Sequence, residues 1–280
     1  MDSTVFFIIL FATIMHAIWN AMVKHHPDKA VAVAAIILGQ IPLSVICILY
    51  FPLPVKESIP FIIASVLTHQ GYQWYMLNSY RVGDYTNVYP IFRGFGPLFA
   101  TLVSIIFLGV VLKLTSLISI ILISFGIIFL GFFGTKNKNQ FDVIKYSLLT
   151  GSFIGLYSLI DGYGARISES AISFVSFSFL LSALIFPLVL KLNNYQNIYS
   201  KVFKDAKLIF WVGGTLSFII YVIVVWGFTK APIPLVAALR ETSIFFSIFI
   251  GYFFLKEQIT SKKIISIFLI VLGVIGIKLF

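Results

Sequence analysis

Charge is what this 280-residue sequence has least of: charged residues make up 11% of it, where a soluble domain carries about 25%. Hydrophobic residues make up 60%. That balance excludes an ordinary soluble fold and leaves a polytopic membrane protein. The longest candidate loops, around Gly134–Lys145 and Lys191–Lys207, are too short to hold a soluble domain. A single cysteine, Cys47, excludes a disulfide within the chain and reads as an inert thiol in an apolar run. Also missing are a glycine loop ending in Lys-Ser or Lys-Thr, a nucleophile elbow, a His-Glu-x-x-His helix and paired aspartates. ATP-driven transport within this chain, enzymatic chemistry, and a metal or cofactor site are therefore not expected. The net charge of +10 is no nucleic-acid footprint, because the lysines lie between apolar runs, where they orient the chain and meet anionic headgroups.

What is present is apolar length. Ten stretches run about 4–24, 31–51, 59–80, 86–108, 114–134, 144–164, 171–191, 208–228, 233–254 and 263–280. Most reach the roughly 20 residues that a crossing helix needs. The first, Val5 to Val23, has no basic residue before it and exceeds a signal-peptide core, so it reads as a retained span. Lys and Arg fall 13 on one set of alternate loops and 5 on the other, which places both termini outside the cytoplasm. The small-residue pairs Gly151/Gly155 and Gly273/Gly276 predict close helix contacts.

The fourth stretch holds an arginine, Arg93, within Tyr89-Pro90-Ile91-Phe92-Arg93-Gly94-Phe95-Gly96-Pro97. An arginine at bilayer depth costs at least ~2.5–3.5 kcal/mol, so it faces a cavity or the bundle interior. Its flanking prolines predict a kinked or locally unwound helix, tolerated at depth only where protein or trapped water covers the backbone. A shift of 147 residues lays 93–133 on 240–280 without a gap, and 12 of the 41 pairs are identical. Arg93 falls on Arg240, Ser119 on Ser266 and Gly126 on Gly273. A shift of 141 lays His16-x3-Asn20 on Tyr157-x3-Asp161. Five spans per half, an odd number, invert the second half relative to the first. The expected architecture is all-α, with ten transmembrane helices in two inverted five-helix repeats around a central cavity. The first repeat takes residues 1–135, a connecting loop 136–143 and the second repeat 144–280. Arg93 and Arg240 then enter their spans from opposite sides, and each is expected at one of two alternating gates.

Other polar groups gather on particular spans. His16 and Asn20 share a helix face with Trp19 beside them, and Tyr157 and Asp161 stand one turn apart. Gln70, Gln73 and Trp74 form an i, i+3, i+4 stripe suited to a cavity wall. Tyr89 flanks Arg93, Tyr221 and Trp226 lie on the eighth span, and Glu241 follows Arg240. Plainer roles stay open beside these. Trp19 and Trp226 fit an interfacial aromatic belt, His69 and Gln70 fit helix-to-helix bonding, and the polar third span fits a subunit interface. Glu241 fits a neutralising partner for an arginine, although neighbours i and i+1 on a helix do not face each other. Glu257 reads as a solvated loop charge.

Four of these patterns resemble the EamA-type members of the drug/metabolite transporter superfamily. They are His16-Ala17-Ile18-Trp19-Asn20-Ala21-x-x-Lys24, Tyr89-Pro90-Ile91-x-Arg93-Gly94 with Pro97, Ala238-Leu239-Arg240-Glu241-Thr242, and Leu255-Lys256-Glu257-Gln258 with Leu272-Gly273-Val274. The resemblance covers nearly the whole chain. It implies two inverted halves around a central cavity, no ATP, and export or exchange of small metabolites across a bacterial inner (plasma) membrane. It departs from the family at Leu108-Gly109-Val110, where a second leucine-x-glutamate signature is often found.

The function expected is therefore secondary active transport by alternating access. Two arginines attract a carboxylate or phosphate and the aromatics supply apolar walls, which fits a small amphiphilic metabolite such as an amino acid. Export of multiple cationic compounds is the alternative, and a lipid flippase a more distant one. Asp161 is the first candidate for proton coupling, then His16 and Glu241. The partners expected are the lipid bilayer, a small-molecule substrate and a proton or counter-substrate, with the protein a monomer or homodimer.

Overall fold

The computed structural model describes residues 1–132, 140–255, 258 and 260–279, and every regular element among them is a helix. α1 (Ser3–His25) starts at Asp2, whose carboxylate accepts the amides of Thr4 at 2.8 Å and Val5 at 3.2 Å. Asp28 caps α2 (Lys29–Gly39) in the same way through Ala30 and Val31. The chain bends at Gln40 into α3 (Ile41–Tyr50), with Pro42 in its first turn, where the missing amide costs nothing. α4 (Ile59–Val82) follows a short 3-10 turn at Lys56–Ser58. α5 (Tyr85–Leu108) ends on Gly109, whose left-handed φ of 61° suits glycine. Then come α6 (Leu114–Phe132), α7 (Gln140–Ile167), α8 (Ala171–Leu192) and a short α9 (Ile198–Asp205). A π turn at Ile209–Gly213 leads into α10 (Gly214–Lys230). α11 (Ile233–Glu241), α12 (Ser243–Leu255) and α13 (Ser261–Leu279) complete the chain.

Eight stretches are long and apolar enough to cross a membrane, with α2–α3, the π turn–α10 and α11–α12 each counted once. Of the ten expected, α4 and α13 stay outside that group. α4 has 24 residues but is polar along much of its length, and α13 carries Lys262, Lys263 and Lys278. Of the connector expected at 136–143, residues 140–143 form the first turn of α7 and 136–139 lie outside the described residues. Lys256 and Glu257 also lie outside them. Large apolar side chains cover the outward faces, Phe7, Leu67, Phe107 and Phe268 among them. Such a surface belongs in hydrocarbon.

The predicted unwinding of α5 is not found. The helix runs unbroken through Pro90 and Pro97, both buried, with the Thr101 hydroxyl donating to the Pro97 carbonyl at 2.7 Å. Neighbouring helices cover this backbone closely, so it does not need to open. A Cβ added at Gly151 or Gly155 of α7 would lie 2.8 Å from the Phe92 or Gly96 carbonyl oxygen. α7 packs on α4 and α5, α6 on α5 and α13, α1 on α10 and α12, and α3 on α8. Where α6 crosses α13, a Cβ at Gly126 would meet the Ser266 carbonyl oxygen at 3.1 Å, and one at Gly273 the Ser119 carbonyl oxygen at 2.7 Å. The buried centre is left to the polar faces of α1, α4, α5, α7, α10 and α11.

Candidate functional site

The site is built around a break in a helix. α11 ends at Glu241, and Thr242 turns back to Leu239, its amide bonding the Leu239 carbonyl at 3.1 Å and its hydroxyl at 2.6 Å. At this tightened turn two consecutive side chains meet. Arg240 Nε donates to Glu241 Oε1 at 3.0 Å, and an Arg240 terminal nitrogen lies 2.9 Å from the same oxygen. The rule that i and i+1 do not face each other holds for a continuous helix, which this is not.

Arg93 reaches the same carboxylate from α5. Its Nε lies 2.5 Å from Glu241 Oε2, an ion pair by distance although the N–H is not aligned as a hydrogen bond. All three side chains are buried: Arg93 is 5% exposed, Arg240 2% and Glu241 0%. One carboxylate joins the two arginines. Position 94, which the 147-residue shift lays on Glu241, is a glycine and has no room for a side chain. A Cβ there would stand 2.6 Å from Ile128 Cγ1 and 2.7 Å from the Ser124 carbonyl oxygen.

α1 meets this cluster through His16, whose Nε2 is 2.8 Å from a terminal nitrogen of Arg93. A guanidinium can only donate, so Nε2 accepts and His16 is neutral with its proton on Nδ1. Trp19 packs edge-on against His16 at 4.8 Å, and the Asn20 amide donates to the His16 carbonyl at 2.7 Å. Arg93 lies over the Tyr89 ring at 5.7 Å, and Arg240 over the Tyr157 ring at 5.8 Å.

These groups surround a cavity whose space for the centres of water molecules is about 110 Å³. Of the residues singled out from sequence, His16, Trp19, Asn20, Gln73, Tyr89, Arg93, Tyr157, Tyr221 and Arg240 line it. Gln70 and Trp74 do not. The Gln70 amide donates to Ser182 of α8, to the hydroxyl at 2.8 Å and the carbonyl at 3.0 Å, and Trp74 packs in the apolar cluster beside Met76 and Leu77. On α4 the cavity face is His69, Tyr72, Gln73, Met76 and Tyr80, a stripe rotated by one residue from the expected one. Tyr72, Tyr80, Gln40 and Ser217 are lining residues outside the expected set, and His69, for which helix-to-helix bonding stays open from sequence, lines the cavity. The signal available on α4 was the i, i+3, i+4, i+7 run from His69 to Met76. Asp161 lies behind the wall, where its Oδ2 accepts from the Tyr221 hydroxyl and stands 3.8 Å from His69 Nε2. Glu241 is likewise behind the arginines.

A second pocket of about 390 Å³ lies between α1, α5 and α12. It shares Asn20 and Tyr89 with the central cavity, and Lys24, Lys262 and Lys263 line it. No group of three or more His, Cys, Asp or Glu suited to a metal occurs among the described residues.

The model of the EamA-like transporter family matches residues 143–279. The match takes in Tyr157, Asp161, Tyr221, Arg240 and Glu241, so the second-half contribution to the cavity falls within the stretch similar to that family. The resemblance drawn from motifs in both halves is met there by a whole-unit match, and the family is one of membrane transporters. No curated protein matches the chain. Among solved structures, 28 chains match. One of them, described only as "Crystal structure of protein", covers 98% of this chain and 95% of its own length at 14% identity and a TM-score of 0.72. At that identity the likeness speaks for the fold.

Proposed function

We propose that this protein is a secondary active carrier that exports or exchanges small amphiphilic metabolites bearing a carboxylate, amino acids among them. Ten spans in two inverted halves would rock about the central cavity, with both termini outside the cytoplasm. The packing supports such halves. Counting the spans in order, α5 on α7 pairs the fourth with the sixth, and α12 on α1 pairs the ninth with the first. α4 on α7 is answered by α10 on α1, and α4 on α8 by the π turn on α2. The glycine contacts of α6 and α13 exchange under the same 147-residue shift that aligns their sequences.

One observation carries the functional reading: two buried guanidinium groups share a single carboxylate beside a cavity with aromatic walls. One positive charge is left in excess, and an entering carboxylate would balance it. A cationic drug would be repelled by the same excess. The test is transport by purified protein in liposomes, with labelled amino acids compared against quaternary amines. Amino-acid flux that falls about 10- to 100-fold in Arg240→Gln supports the reading, the loss expected for one charge-assisted contact. Flux of the amines alone would turn it to the cationic alternative.

The pocket between α1, α5 and α12 favours a second reading, a lipid flippase, because it lies between helices and shares Asn20 and Tyr89 with the cavity. Movement of a fluorescent phospholipid between leaflets, with no amino-acid flux, would select it.

A further inference from the structure

Around Asp161 the hydrogen bonds fix where protons can be. His69 stands on α4 with its Nδ1 2.9 Å from the Ser65 carbonyl oxygen. A carbonyl has no proton to give, so Nδ1 carries one and donates it. A neutral His69 therefore turns a lone pair at Nε2 toward the group it faces. That group is Asp161 on α7, with Oδ2 3.8 Å away. Both side chains are buried, Asp161 to 1% exposure and His69 to 7%. Oδ2 already accepts from the Tyr221 hydroxyl, and Oδ1 has no hydrogen-bond partner. A lone pair facing an ionised carboxylate here would be two acceptors with no donor between them, in a place where water does not compensate. One proton removes the conflict, on Nε2 to make an ion pair or on Asp161 to make a neutral one.

We propose that His69 and Asp161 hold one exchangeable proton between them, and that this pair is the carrier's proton site. The role in transport rests on the carrier reading above; the sharing of the proton does not. Asp161 is not in the cavity wall, whereas His69 and Tyr221 are, so a proton from cavity water reaches the carboxylate by way of the imidazole and leaves by the same route. The charged state also has a path to the arginines. His69 stacks on the Tyr157 ring at 4.3 Å and 22°, and Arg240 lies over that ring at 5.8 Å. An imidazolium and a guanidinium compete for the electrons of one ring, so loading the proton loosens the hold of Tyr157 on Arg240. The other groups facing His69 are Tyr221, Phe179 and the Ser65 hydroxyl, which stands 3.4 Å from Nδ1 and also neighbours Asp161, with Tyr72 and His16 lining the same cavity.

The experiment is a pH titration of the full-length protein in lipid bilayers, with histidine labelled in nitrogen-15. Solid-state NMR follows His69 Nε2, and infrared absorption follows the Asp161 carboxyl band, identified by its loss in Asp161→Asn. The expected result is a single proton for the pair, both signals changing at one midpoint, and a His69 midpoint that moves in Asp161→Asn. An unmoved His69 midpoint in that variant, or two protons taken up independently, would overturn the proposal. If Asp161→Asn does not fold, the comparison runs from the other side, and a carboxyl band that titrates identically in His69→Gln overturns it equally. No substrate enters these measurements, so failure of the carrier reading in the liposome assay is seen separately.

Discussion

Arg93 and Arg240 pair with the same carboxylate from two helices that are built in opposite ways. α5 carries two prolines and two glycines around its arginine and still runs unbroken for 24 residues. The α11–α12 segment has no proline or glycine within four residues after its arginine, yet breaks at Thr242. The glycines explain the first case. They let α6 and α7 come so close to α5 that the backbone stays covered where proline removes a donor. The carboxylate explains the second. At the tightened turn after Glu241 that side chain meets both Arg240 and Arg93. At the 147-residue offset, one element gives up its side chain for packing and the other supplies the charge for both.

Glu241→Gln should break this division most severely. It leaves two buried guanidinium groups facing each other without a counter-charge, for a loss of about 3–5 kcal/mol in stability. Thermal unfolding in detergent measures it, and adding Arg93→Gln should recover part of the loss. No recovery would mean that the two arginines are not coupled through Glu241. Gly94→Ala tests the packing side. Its methyl group meets a backbone oxygen at 2.7 Å, so we expect about 1–3 kcal/mol of destabilisation despite alanine's better helix propensity. A more stable variant would show that α5 and α6 can part at little cost. Thr242→Val sharpens the comparison most gently. It removes the hydroxyl bond to Leu239, for a loss of about 1 kcal/mol, and leaves the break in place if the carboxylate is what holds it.

The arginines, His16, Gln73, Tyr157 and Tyr221 were legible in the sequence because polar groups stand out in apolar spans and bury themselves toward one another. Glu241 was legible as a neighbour of Arg240 but not as its partner. The helix rule assumes an unbroken helix, and Thr242-Ser243 carries no breaker residue to warn otherwise. Of the two outcomes expected from the prolines of α5, unwinding is absent, since neighbouring helices pack over the missing donors. On α4 polar groups surround the helix: one face bonds Ser182 of α8 and the next lines the cavity. Two stripes of equal merit, one residue apart, cannot be separated without knowing where α8 lies. The short α9 does carry an apolar i, i+4 pair, Ile198 and Val202, but at eight residues it falls far below the length by which spans are counted.

The crossing of α6 and α13 sets a mechanical condition on the whole molecule. Gly126 rests against Ser266 and Gly273 against Ser119, backbone nearly on backbone, in a reciprocal pair of seats. Helices seated that closely cannot slide along each other without a Cβ riding over a carbonyl. They can still tilt. α5 is seated at the same place, because Gly94 beside Arg93 packs on Ser124 and Ile128 of α6, on either side of Gly126, so a tilt about this crossing would move Arg93 little.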